Sequence, residues 1–233
     1  MTDRAFTPAA GRLAPLRLYD PIVSLTRERL WRSLLAMHAA PRPDDVIVDV
    51  GCGTGSLALL LKRVEPRTRI IGIDPDPGTL ELARRKAAAT GTTNGTGPAT
   101  STTNGPTNGP EWLTGMGDAV ADLVGTEAAD TVVSSLVLHQ CPVPVKQAVL
   151  ASMHAALRPG GKLVIADYGR QRTPAMRLAF RIVQFADGKE DTRPNADGIL
   201  PRLIAEAGFR GVREAETVAT VTGSMSIYVA HRE

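Results

Sequence analysis

Between residues 46 and 231 the spacing of apolar and polar positions changes several times. Short β-branched runs at 46–50, 70–74, 111–116, 131–138 and 162–168 alternate with longer stretches whose apolar residues recur every three or four positions. That alternation predicts parallel strands joined by helices that cover both faces of one sheet. Val145, Val149, Met153 and Ala156 mark one face of a helix over about 145–157, with Gly160 beyond it as a stop. A second helical run, from about Asp197 to a terminating Gly208, turns Ile199, Leu200, Leu203, Ile204 and Ala207 inward. Upstream, Leu30, Trp31, Leu34, Leu35 and His38 share helical spacing and predict an amphipathic helix beside the core. Downstream, 215–222 and 226–231 read as strands joined through Gly223 and Ser224, a terminal hairpin.

Two stretches break this pattern. Residues 90–110, TGTTNGTGPATSTTNGPTNGP, carry almost no apolar side chains and cannot offset the entropy of their own ordering. A flexible low-complexity insertion is expected there, between a helix at 79–89 and the third strand. Residues 170–195 open with Thr173 and Pro174, a helix cap and a first-turn residue. Met176, Leu178, Ala179, Phe180, Ile182, Val183 and Phe185 then leave only Arg177, Arg181 and Gln184 as a polar stripe. So much apolar surface needs a cover. A lid roofing an apolar ligand, a homodimer interface and simple packing on the sheet are the three readings. The expected organisation is one domain over 1–233, with an N-terminal helical arm at 1–42.

Length and composition narrow the class. The 233 residues suit one α/β domain with a small appendage. No apolar run reaches membrane-spanning length, and 1–10 lacks the cationic start and apolar block of a signal peptide. A cytoplasmic protein without membrane insertion is therefore expected. Cys52 and Cys141 are the only cysteines, which gives no disulfide framework and no zinc-type spacing, so no metal is expected. The 27 Lys and Arg against 24 Asp and Glu leave a net charge of +3, scattered rather than gathered among aromatics, which argues against a nucleic-acid partner.

Candidate chemistry gathers at the strand ends. The first strand runs into Gly51-Cys52-Gly53-Thr54-Gly55, and the second ends in Asp74-Pro75. Alternating glycines admit close backbone approach to a ligand, and loop N–H groups with the next helix N-terminus face whatever sits there. Asp74 is placed to accept two hydrogen bonds from a ribose diol. Together these predict a nucleoside site. Nicotinamide binders prefer G-x-G-x-x-G, whereas Ser56 stands here in place of the last glycine.

Spacing and residue types resemble motifs I and II of the class I S-adenosylmethionine-dependent methyltransferases. Gly117-Asp118-Ala119 after the third strand, the fourth strand leading to His139, and Leu157-Arg158-Pro159-Gly160-Gly161 before the fifth extend the resemblance over about Tyr19 to Tyr168. The nearest branch is the small-molecule one that includes ubiquinone and menaquinone biosynthesis C-methyltransferases. That branch often carries paired histidines after the fourth strand, where this chain has His139-Gln140.

The resemblance implies an α/β fold: a Rossmann-like, doubly wound, seven-stranded sheet, mostly parallel with an antiparallel C-terminal hairpin strand. It implies S-adenosyl-L-methionine as cofactor, S-adenosyl-L-homocysteine as product, and in-line methyl transfer to C, N or O of a small organic acceptor. By the same resemblance Asp49 and Gly51 lie near the methionine end, with Cys52, Gly53 and Gly55 completing the loop. Asp74 holds the ribose, Pro75 borders the adenine, Asp118 and Ala119 meet its amino group and ring, and Ser135 and Leu136 line the site. Tyr19, in the arm, either covers the ligand or packs the arm down.

Methyl transfer asks the protein chiefly for alignment and exclusion of water. Where the acceptor must lose a proton, His139 is the candidate base, its ordinary pKa lying near neutrality. The alternative is a structural or cofactor-lining histidine. Asp167 and Tyr168 either orient an acceptor amine or hydroxyl or only line the cleft, and 170–195 is the expected substrate lid. Cys52 and Cys141, at neighbouring strand ends, could hold a thiol-bound metalloid such as arsenite, though ordinary structural placement explains both. The rivals are an aminopropyltransferase, a nicotinamide-dependent oxidoreductase and a non-catalytic S-adenosylmethionine-binding protein. The glycine spacing and terminal hairpin oppose the oxidoreductase, and Asp74 and Asp118 oppose the non-catalytic reading.

Overall fold

The computed structural model describes residues 27–91 and 109–233. Tyr19, most of the arm at 1–42 and most of the insertion at 90–110 lie outside the described residues. The strands are β1 (Val46–Val50), β2 (Arg69–Asp74), β3 (Glu111–Thr114), β4 (Ala129–Ser135), β5 (Leu157–Tyr168), β6 (Arg210–Thr220) and β7 (Gly223–His231). They form one sheet in the order β3-β2-β1-β4-β5-β7-β6. β1 to β5 run parallel, and β7 lies antiparallel between β5 and β6. This is the doubly wound sheet with an antiparallel C-terminal hairpin that the sequence predicts.

β1 pairs with β2 on one side and β4 on the other, so the winding reverses between β1 and β4. In open α/β sheets that reversal leaves a crevice at the carboxyl ends of the strands.

The helices are α1 (Glu28–Ala39), α2 (Ser56–Val64), α3 (Pro77–Ala89), α4 (Val120–Val124), α5 (Val143–Ala156), α6 (Pro174–Asp187), α7 (Lys189–Asp197) and α8 (Leu200–Glu206). Successive strand residues point to opposite faces, and both faces are covered, so β1 reads as an almost continuous apolar run. Ile47 packs with Trp31 and Leu35 of α1, Leu57 and Leu61 of α2, and Phe180 and Val183 of α6. Val48 and Val50 pack on the other face with Val149, Leu150 and Met153 of α5 and Leu200, Leu203 and Ile204 of α8.

Three boundaries and one helix face differ from the sequence expectation. Gly160 does not stop α5, which ends at Ala156; it belongs to β5, where its N–H donates to Arg232 O at 2.8 Å. The inward face of α5 is rotated, with Lys146 fully buried and Val145 36% exposed. The helix expected from about Asp197 is α8 and starts at Leu200, because Asp197 ends α7 and Gly198 takes a left-handed φ of 89° between them. The hairpin turns at Val221 and Thr222, with Thr220 opposite Gly223, and not at Gly223 and Ser224.

Candidate functional site

At the carboxyl ends of β1 to β4 lies a cavity of about 440 Å³. Its walls include Val50 at the end of β1 with Gly51 and Gly53 of the loop, Asp74 at the end of β2 with Pro75, Gly115 to Asp118 after β3, and Ser135 at the end of β4 with Leu136 and Val137. Gln140, Cys141, Pro142 and the first turns of α5, among them Pro144, Val145, Ala148 and Val149, close the remaining side. Of the residues expected at a cofactor, Gly51, Gly53, Asp74, Pro75, Asp118, Ser135 and Leu136 are thus brought together.

The glycine loop works differently from the expectation. Gly51 and Cys52 donate their N–H groups to Ile73 O at 2.8 and 3.0 Å, and Gly55 donates to Cys52 O at 3.0 Å. Gly53 donates to Asp74 Oδ2 at 2.9 Å. These amides are spent within the protein, so the loop offers a floor without side chains rather than a set of donors. Gly51, Gly53 and Gly55 all have positive φ, at 70°, 54° and 75°. A Cβ on Gly51 would collide with Val137, while one on Gly53 would meet no atom within 4 Å.

Gly55 and Cys52 do not line the cavity. Gly55 lies under the Trp112 ring, whose Cζ3 would stand 3.0 Å from an added Cβ, and Cys52 is buried against Gly72. Ala119 is likewise outside the walls, and its N–H donates to Met116 O at 3.1 Å, which removes the amide expected at an adenine ring. Leu136 lines the cavity in a left-handed conformation, φ 57°, uncommon for a bulky side chain and held by its N–H to Ala166 O at 3.0 Å.

Two carboxylates carry the electrostatics. Asp74 also accepts the Asp76 N–H at 3.0 Å, and burial raises its pKa above the usual carboxylate range. Asp49, one strand away, is completely buried, and no side chain hydrogen-bonds either of its oxygens. Burial pushes its carboxyl up to about 7, with nearby Asp74 adding to the effect while Arg32 and the Ala58 amide oppose it. Unlike Asp74, Asp49 is not among the residues that wall the cavity.

His139, Asp167 and Tyr168 are not at the cavity. His139 is buried with Nδ1 2.7 Å from Asp167 Oδ1 and Nε2 3.3 Å from Asp187 Oδ2. Burial works to lower its pKa, but the two carboxylates, Asp167 foremost, raise it to about 9. With Nδ1 against Asp167 and Nε2 against Asp187, neither ring nitrogen faces the cavity, an arrangement that favours the structural alternative over the base. Tyr168 gives its hydroxyl to a hydrogen bond with Thr222 at 2.8 Å, and burial raises its pKa to about 12.

Several supporting residues escaped the sequence reading. Lys146 Nζ reaches the carbonyls of Leu138 and Cys141, and that of Asp191 at 3.0 Å, which fixes the turn after β4. Its signal was a charge at the i−3 and i−7 positions of Val149 and Met153, in the middle of the apolar stripe. Lys86 Nζ, from α3, braces the glycine loop through Thr54 Oγ1 at 2.7 Å and Ser56 Oγ at 3.1 Å, a long-range contact with no local signal. Among the described residues no group of three metal-ligating side chains occurs, and no helix is long and apolar enough to cross a membrane.

Residues 48–163, which carry the loop, Asp74, Asp118 and the turn after β4, match the family model of a methyltransferase domain. The chain carries a methyltransferase domain. A demethylmenaquinone methyltransferase of Thermus thermophilus is 29% identical over 168 residues, 71% of this chain and 66% of that protein. A ubiquinone/menaquinone biosynthesis C-methyltransferase of Desulfotalea psychrophila is 24% identical over 78% of this chain and 63% of its own. The chain thus spans less than two thirds of either relative's length. The structure of magnesium protoporphyrin IX methyltransferase from Synechocystis PCC 6803, with bound SAH, superposes with a TM-score of 0.65 at 18% identity, covering 97% of this chain and 91% of that one. The methyltransferase domain therefore has the fold of that enzyme, and its cavity lies where the winding of the sheet reverses.

Proposed function

We propose that the protein transfers a methyl group from S-adenosyl-L-methionine to a small organic acceptor in the cytoplasm, releasing S-adenosyl-L-homocysteine. One observation carries this reading: a cavity floor of Gly51 and Gly53, tied by the Gly53 N–H to Asp74, with Asp118 in the same wall. When bound, the cofactor supplies a sulfonium-activated methyl group that needs no further activation.

The chain's own residues hold and shield. Asp74 keeps a free lone pair on each oxygen after accepting Gly53 and Asp76, enough for a ribose diol. Asp118 and Pro75 flank the cavity on the side assigned to the adenine. Asp49 lies two residues before Gly51 and outside the cavity wall, and its carboxyl, raised to about 7, is only partly ionised at neutral pH. Val137, Pro142, Pro144 and Val145 form an apolar wall that excludes water. His139, Asp167 and Tyr168 support this wall from behind. The relatives named for quinone and porphyrin substrates favour an apolar, small-molecule acceptor. Helix α6, with Leu178, Ile182 and Phe185 exposed at 64, 64 and 81%, is where an acceptor roof or a second copy of the chain would sit.

Incubation with methyl-labelled S-adenosylmethionine and a panel of quinols, phenols and amines tests the reading. Label should pass to one acceptor class and disappear in Asp74→Ala. Cofactor binding with no transfer to any acceptor would favour a non-catalytic binding protein.

A further inference from the structure

Asp187 is the last residue of α6, where the helix's own carbonyls already present negative charge. A carboxylate is disfavoured there unless a cation meets it, and the cation that does so lies outside the helix. His139 Nε2 stands 3.3 Å from Asp187 Oδ2, with the two side chains 6 and 14% exposed. The other ring nitrogen is held by Asp167 from β5, and the ring edge rests on Tyr168 at a centroid distance of 5.0 Å.

The backbone around His139 is pinned just as firmly. Leu138 N–H and His139 N–H both donate to Asp167 Oδ2, at 2.7 and 3.2 Å. Lys146 of α5 takes the carbonyls of Leu138 and Cys141 and ties them to Asp191 O of α7. The titratable and charged groups around the imidazole are therefore Asp167 and Tyr168 from β5, Asp187 from α6, Lys146 from α5, Asp191 from α7 and Cys141 of the same turn. On its far side this turn presents Val137, Gln140 and Cys141 to the cavity. Directly after Asp187, Gly188 has φ 91°, a joint between α6 and α7 that needs no side-chain adjustment.

We propose that Asp187 is a positioning residue which, through His139, latches the C-terminal end of α6 onto the turn that walls the ligand cavity. The latch has two charge states. With His139 protonated, each nitrogen donates to a carboxylate. With His139 neutral, Asp167 keeps the Nδ1 proton, and the Nε2 lone pair then faces an Asp187 oxygen, so attraction becomes repulsion and the end of α6 is released at Gly188. The latch involves only the chain's own residues and holds whichever ligand the cavity takes.

The test is hydrogen exchange of 174–187 in the full chain, corrected for intrinsic rates, together with an NMR titration of the four histidines. In the wild type, exchange of the last turns of α6 should rise by about tenfold across the pH range in which His139 itself titrates. Asp187→Asn should move the His139 titration to lower pH and give the faster exchange already at neutral pH. Asp187→Glu should restore part of both, and Glu206→Gln on α8 should change neither. S-adenosylhomocysteine should bind Asp187→Asn several-fold more weakly, with the pH dependence of binding shifted alongside the histidine. Exchange in the wild type that stays level while His139 titrates overturns the latch without need of any variant. A folded Asp187→Asn protein whose His139 titration is unmoved overturns it equally.

Discussion

Asp74 accepts the backbone N–H of Gly53 at 2.9 Å, so the carboxylate expected to hold a ribose also fixes the loop on which the ligand rests. Removing it disturbs both. Asp74→Ala is expected to weaken S-adenosylhomocysteine by about 100-fold, or about 3 kcal/mol, the worth of one or two hydrogen bonds to a charged group. Asp74→Asn, which can still accept from Gly53, should lose less. Isothermal titration calorimetry measures both, and equal affinity for Asp74→Ala and wild type would remove Asp74 from the ligand.

The glycines of the loop should separate by role. Gly55→Ala must press a Cβ into Trp112 and Ala83 at a φ of 75°, and is expected to destabilise the fold by about 3 kcal/mol. Gly53→Ala has open space and carries only the cost of a left-handed backbone, about 1 kcal/mol. Its methyl would enter the ligand's space, so affinity should fall more than stability. Urea melts paired with calorimetry read both quantities. The reverse ranking would mean that Gly53, not Gly55, is the packing glycine.

Asp49 gives the protein an unusual pH response. Its folded pKa of about 7 lies above the ordinary 3.8, so protons bind the folded state more tightly than the unfolded one. Below pH 3.8 the group contributes nothing to the difference. As pH rises to about 7 the unfolded chain ionises first, and stability falls by up to about 4 kcal/mol. Urea unfolding from pH 5 to 8 should show that decline in the wild type and a flatter curve in Asp49→Asn. Parallel curves for the two proteins would contradict the raised pKa of this carboxylate.

His139 acts in the opposite sense. Its pKa is raised to about 9 from 6.5, so its contribution, about 3 kcal/mol, is present in full below 6.5 and is lost as pH climbs through 9. The stability difference between wild type and His139→Gln should therefore shrink between pH 7 and 10. A constant difference over that range would mean that His139 is not held as a cation.

What the sequence disclosed follows the range of each interaction. The strands of the parallel core and the terminal hairpin were visible because periodicity is local, and the loop with Asp74 was visible because its geometry is set by a few consecutive residues. Contacts between distant segments were not. Gly55 reads as a ligand glycine until Trp112, 57 positions later, proves to lie against it. The loop amides look free until Ile73 O and Asp74 take them. His139 looks like a base at a strand end because nothing near it in sequence reveals Asp167 and Asp187. Lys146 is the instructive case, since its place within an apolar stripe was local information, and a buried lysine had to find carbonyls.

The central claim is that the cavity between the glycine loop, Asp74 and Asp118 takes S-adenosylmethionine. Calorimetric titration of the wild type with S-adenosylmethionine, S-adenosylhomocysteine and NAD at one pH tests it most directly. One-to-one binding of the first two and none of NAD is the predicted result; binding of NAD alone would contradict it.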